Sequence, residues 1–73
     1  MKKAIYSKQH KILITRLKAA RIKCGLNQIR VAKILKTTQS HISKIESGQR
    51  RLDIIQLKEF ANLYKKELTF FIP

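Results

Sequence analysis

Apolar side chains at Leu13, Leu17, Ala20 and Cys24 recur at spacings of four, three and four residues, which is one face of an α-helix. Ser7 is a good N-cap for that helix, and Gly25 stands where a left-handed residue would end it. Asn27 is placed to cap a second, short helix over residues 28–35, with Val31, Ala32 and Leu35 facing inward. Lys36-Thr37-Thr38 contains the break. Thr38 can then cap a third helix from Gln39 to about Ser47, with Ile42 and Ile45 inward and Gly48 as its stop. After the basic loop Gln49-Arg50-Arg51-Leu52, Asp53 opens a fourth helix, and Gln56 is spaced to return the capping-box bond. Its apolar stripe reads Ile54, Leu57, Ala61 and Tyr64, with Phe60 beside them. Residues 67–73 are strongly apolar at Leu68, Phe70, Phe71 and Ile72, and fit either a last helical turn or a strand. Residues 1–6 read as a short basic arm. The pattern predicts one all-α domain, a compact bundle of four to five short helices.

Length agrees, because 73 residues leave room for a single domain. Charge changes the picture more. Lys and Arg number 17 against 4 acids, a formal net charge of +13, and the first 45 residues carry 12 basic groups and no acid. Such a field attracts polyanions: DNA, RNA or an anionic membrane surface. No apolar run approaches the roughly 18 residues of a membrane span. Residues 1–15 mix Lys and His with Ile and Leu and lack a signal peptide's unbroken apolar core. A single cysteine, Cys24, rules out an internal disulfide framework and fits a reducing cytoplasm.

Two eight-residue helices separated by three residues outline a helix-turn-helix. The stretch Gln28-Ile-Arg-Val-Ala-Lys-Ile-Leu-Lys-Thr-Thr-Gln-Ser-His-Ile-Ser-Lys-Ile-Glu46 resembles the Cro and phage-repressor (XRE) family of DNA-binding domains. The likeness extends from about Leu17 to Ile72. It takes in Leu17 to Arg21 and Gly25-Leu26-Asn27-Gln28, then Ile45-Glu46-Ser47-Gly48-Gln49-Arg50, and Ala61-Asn62-Leu63-Tyr64 through Leu68. The resemblance implies a lambda-repressor-like fold, with the helix-turn-helix at 28–47 inside a DNA-binding domain spanning 7–73. It also implies double-stranded operator DNA as partner, a homodimer, and a role as transcriptional regulator, most simply a repressor. Antitoxins that silence a toxin protein can share this fold, so an antitoxin is the alternative reading.

By the same resemblance, Gln39, Ser40 and Lys44 are base-reading positions of the recognition helix. Gln39 suits bidentate pairing to adenine, and Lys44 suits guanine. Thr38 can cap the helix, meet a thymine methyl, or do both. Gln28, Ser43, Gln49, Arg50 and Arg51 are candidates for the DNA backbone, where amides, hydroxyls and guanidinium groups bond phosphate oxygens. Lys8, Lys11, Lys18, Lys23, Lys33 and Lys36 supply a diffuse positive field. Arg21 and Glu46 occupy positions that meet in the family's architecture, which implies a partly buried structural ion pair.

Three positions depart from the family pattern. Lys36 stands where a glycine is usual at the turn, Thr37 where an apolar residue packs beneath it, and Leu52 where a proline often precedes the fourth helix. Other chemistry has little support. Cys24, His10 and His41 lack metal-ligand spacing. No catalytic triad, carboxylate pair or phosphate loop occurs, so neither an enzyme nor a cofactor or metal is expected. Cys24 reads as a small core residue, and His41 as an outward one, in solvent or against DNA. Phe70-Phe71-Ile72 is the candidate contact between copies, since a chain this small is not expected to bury all three.

Overall fold

Three helix starts, those of the second, third and fourth helices, follow the side chains that cap them. In the computed structural model, which describes residues 8–73, Asn27 accepts a hydrogen bond from the Arg30 backbone N–H, and Thr38 accepts one from His41 N–H. Asp53 accepts from Gln56 N–H, and the Gln56 side chain accepts from Asp53 N–H, a complete capping box. The described helices are α1 (Lys8–Lys23), α2 (Gln28–Ile34), α3 (Gln39–Glu46), α4 (Ile54–Tyr64) and α5 (Leu68–Phe71). The all-α fold is as expected, with α2 one residue shorter than the sequence pattern suggested. The predicted arm at 1–6 and the Ser7 cap lie outside the described residues. The chain end resolves into a helical turn, α5.

Helices α1 to α4 close with the same backbone device, a left-handed residue followed by paired bonds back into the last turn. Gly25 and Gly48 serve after α1 and α3, with φ of 74° and 85°. Lysines do so after α2 and α4: Lys36 has φ 59° and Lys65 has φ 58°. At the first of these, Thr37 N–H bonds Ala32 C=O at 2.8 Å and Lys36 N–H bonds Lys33 C=O at 3.2 Å. A left-handed residue other than glycine costs about 1–2 kcal/mol. Glycine would remove that strain but loosen the unfolded chain by about 0.4–1 kcal/mol. Lys36→Gly is therefore expected to stabilise the domain by some tenths to about 1 kcal/mol in denaturant unfolding. A destabilised variant would show that the lysine stem packs productively on the turn.

One core joins the helices. Leu17 and Ala20 of α1 meet Val31 and Ala32 of α2, Ile42 and Ile45 of α3, and Leu57, Phe60, Ala61 and Tyr64 of α4, with Phe71 from α5. Leu13, Leu26, Leu35, Leu52, Leu63, Leu68 and Phe70 pack around it half-buried. Leu52 thus docks on the core in the place where a proline was expected. Beneath the α2–α3 turn, Thr37 borders a recess of about 70 Å³ shared with Leu35, Ile42 and Phe60. The shorter polar side chain does not fill it.

Two assignments to the core are corrected. Ile54 is 53% exposed, because it begins α4 a full turn before the helix settles on the core at Leu57. Cys24 is exposed as well, since it follows the last residue of α1 where the chain already turns away; its Sγ lies 3.9 Å from Tyr64 C=O. The apolar tail divides. Phe71 is completely buried, Phe70 is half-buried, and Ile72 alone stays 45% exposed. Arg16 holds this end against α1 by donating to Phe70 C=O at 2.7 Å. The Phe70 ring takes Arg16 and Lys66 as cationic neighbours, at 5.4 and 4.7 Å from its centroid.

Candidate nucleic-acid interface

The α2–turn–α3 unit packs on α1 and leaves one side of α3 to solvent. Gln39, Ser40 and Lys44 are exposed on it, and Ser43 is partly exposed. Thr38 acts as the cap, with Oγ1 accepting from His41 N–H at 3.1 Å. Just beyond α3, Gly48 turns the chain with φ 85°, and a Cβ there would sit 3.1 Å from Ile14 Cδ1. The dihedral is what calls for glycine here, because an added Cβ would press only on the movable end of the Ile14 side chain. The turn carries Gln49, Arg50 and Arg51 outward, all exposed beside the end of α3. Their backbone is tied down, as Gln49 N–H and Arg50 N–H both donate to Lys44 C=O, at 2.9 and 3.2 Å.

Glu46 is the one acid within α3, and it turns inward. Arg21 Nε donates to its Oε2 at 2.8 Å and Arg21 Nη2 to its Oε1 at 3.1 Å, a bidentate pair with side chains 11% and 4% exposed. Arg21 Nη1 also donates to Leu26 C=O at 3.0 Å, which ties down the α1–α2 junction. The consequence is electrostatic. The Glu46 charge is neutralised and screened from the surface, which leaves the exposed side of α3 without an acid. Nearby, the Tyr64 hydroxyl is buried with no hydrogen-bond partner among the described residues. Burial, and next the Glu46 carboxylate, push its pKa above the ordinary phenol value, so it stays protonated.

Polar contacts absent from the local sequence pattern converge here. Gln28 opens α2 and Gln39 opens α3, eleven positions on. Gln39 Nε2 donates to Gln28 Oε1 at 2.7 Å, and Gln28 Nε2 donates to Glu46 Oε1 at 3.1 Å. The outward reading of His41 is corrected. Its ring is half-buried, bordering the recess under the turn, with Nε2 3.3 Å from Gln56 Nε2. The Gln56 oxygen is already taken by Asp53 N–H, so its amide donates and the imidazole nitrogen accepts. His41 therefore links α3 to α4 and does not face the open side with Gln39 and Lys44. The six lysines Lys8, Lys11, Lys18, Lys23, Lys33 and Lys36 are all exposed. Among the described residues no group of metal-ligating side chains assembles, and no helix is long and apolar enough to cross a membrane.

A short helix capped by Thr38, presented with an acid-free polar face and followed by a basic turn, completes a helix-turn-helix unit. Residues 17–71, three quarters of the chain, match the sequence model of the helix-turn-helix family. The chain belongs to that family, in its Cro- and repressor-type (XRE) branch, whose members are DNA-binding transcriptional regulators and not enzymes. Neither the comparison with curated proteins nor that with solved structures found a match.

Proposed function

We propose that this protein is a sequence-specific transcriptional regulator that represses by occupying an operator as a homodimer. The observation that carries the reading is the asymmetry of α3. Its exposed side offers Gln39, Ser40 and Lys44, while its sole acid, Glu46, is withdrawn into an ion pair. Gln39, Ser40 and Lys44 read base edges in the major groove, and the Thr38 methyl adds a thymine contact beside its capping role. Gln28, Ser43, Gln49, Arg50 and Arg51 hold the phosphates on either side. Two copies, with half-sites in an inverted repeat about 34 Å apart, supply the specificity that one small module lacks. With Phe71 buried, Ile72 is the part of the apolar tail left for contact between copies.

Base reading and charge attraction separate experimentally. Gln39→Ala should cost about 1–3 kcal/mol on the preferred duplex and much less on random DNA. Arg50→Ala and Arg51→Ala should weaken both, and should flatten log affinity against log salt by about one unit for each phosphate no longer neutralised. Titrations at several salt concentrations check this. Equal weakening by Gln39→Ala on both duplexes would remove the recognition-helix assignment.

An antitoxin reading is favoured by a different observation. Adjacent Ile54 and Ile55 are 53% and 62% exposed at the start of α4, an apolar surface suited to a protein partner. Under that reading Ile55→Asp abolishes binding to a toxin and leaves duplex affinity intact.

A further inference from the structure

We propose that the outer side of α1 is a docking surface for an acidic amphipathic helix of a second protein. The core accounts for only one side of α1, where Leu13, Leu17 and Ala20 pack inward. On the opposite side Ile12, Thr15, Ala19 and Ile22 follow spacings of three, four and three, the a and d positions of a heptad repeat. At 3.6 residues per turn the four fall within an arc of about 80°. Thr15 and Ala19 are exposed, Ile12 is half-buried, and Ile22 is 59% exposed. Two hollows run along this line. Lys8, Lys11, Ile12 and Arg16 border one, Lys18, Ala19 and Ile22 border the other, and Thr15 stands between them in both. Side chains of a facing helix enter hollows of this kind.

The flanks decide what that helix carries. The e and g positions of the repeat are Gln9, Lys11, Arg16, Lys18 and Lys23, four cations and no acid. Arg16 is partly committed to Phe70, and Lys11, Lys18 and Lys23 remain exposed. Flanking charges of this kind select the partner of a helix pair. A second copy of α1 would set cation against cation, so this side does not mate with itself. No described helix of the chain holds more than one acid, Glu46 in α3 and Glu59 in α4, so no other helix of a second copy supplies the complement. The complement is a foreign helix with apolar a and d residues and Glu or Asp beside them. Glu46 borders one hollow but does not repel such a helix, because Arg21 neutralises it. A membrane surface suits this side less well. Interfacial helices bring bulky Trp, Phe or Leu to the lipid, whereas the middle of this line is Thr15 and Ala19, small enough for a second helix to come close.

The test uses three labelled synthetic peptides of three heptads, titrated with the full chain by fluorescence anisotropy. One has leucine at a and d with glutamate at e and g, one replaces those glutamates by lysine, and one scrambles the first at constant composition. Each exposed ion pair is worth a factor of about two, so three lysines should favour the glutamate-flanked peptide over the lysine-flanked one about tenfold. The ordered acidic peptide should also bind about tenfold tighter than its scrambled form, since only it buries apolar surface on Ile12 and Ile22. Ile22→Ser should remove the advantage over the scrambled peptide while duplex DNA affinity is unchanged. Ala19→Gln, a good helix former at an exposed site, should do the same and keeps the test open if Ile22→Ser unfolds. Lys11→Glu combined with Lys18→Glu should invert the preference toward the lysine-flanked peptide. Equal binding of the ordered and scrambled acidic peptides would mean that net charge alone attracts them, and the proposal is overturned. It is overturned equally if Ile22→Ser and Ala19→Gln, both folded, bind the ordered peptide as the parent does. If Ile22→Ser weakens binding to phosphatidylglycerol vesicles and not to the peptide, this side meets a membrane and the helix partner is wrong.

Discussion

Arg21→Ala is expected to destabilise the domain by about 3–5 kcal/mol, because it strands the Glu46 carboxylate with only 4% of its side chain exposed. A domain of this size has roughly 4–11 kcal/mol in total, so the variant should be close to unfolding at room temperature. Two further effects add to the stranded charge. The Leu26 carbonyl gives up the donor at 3.0 Å that ties the α1–α2 junction, and the arginine stem leaves a gap beside α3. Removing both charges should be milder than removing one. Arg21→Met combined with Glu46→Met should be more stable than Arg21→Ala, since the penalty of an unpaired buried ion disappears. Denaturant unfolding of the set measures this, and a destabilisation below about 0.5 kcal/mol for Arg21→Ala would mean the pair contributes nothing net.

Phe71→Ala should cost about 3–5 kcal/mol, the range for emptying a large aromatic site in a core. Its side chain is 0% exposed and meets Phe70 edge-on at 5.0 Å between centroids. A four-residue helix has no stability of its own, so α5 holds its place through this side chain and the Arg16 bond to Phe70. Ile72→Ala, at a residue 45% exposed, should stay within about 1 kcal/mol. Thermal unfolding of the two variants side by side checks the contrast. Similar small effects for both would mean that α5 is not seated on the core.

The contrast also explains why the sequence pattern treats the chain end as one group. Phe70, Phe71 and Ile72 are equally apolar, and over three residues no periodicity distinguishes the one that points inward. Burial of Phe71 depends on the direction in which α5 leaves α4, which is governed by the left-handed Lys65. That lysine carried no signal, because any residue but glycine is an unremarkable choice until its backbone angles are known. Gly25 and Gly48 announced the same device openly. At Lys36 the turn was expected from the family likeness, not from the residue.

Helix starts were legible because capping is local. Asn27, Thr38 and Asp53 each bond an N–H three residues ahead, so the donor and acceptor are neighbours in the chain. The inward faces of α2 and α3 were legible for a similar reason, as Val31, Ile42 and Ile45 repeat at helical spacing and are buried. Stripe ends were not. Cys24 and Ile54 keep the period yet fall beyond the edge of the packed surface, and only the neighbouring helices define that edge.

Polar side chains separated the two kinds of information most sharply. Composition, spacing and family likeness were enough to nominate Gln28, Gln39, Arg21 and Glu46 one at a time. They could not join them into a single hydrogen-bonded series, because its links span 11, 18 and 25 residues. His41 and Gln56, 15 residues apart, were missed for the same reason. A periodic pattern records which way a residue faces on its own helix. Which partner it meets there depends on how separate helices are brought together, and that follows from the packing of the whole core.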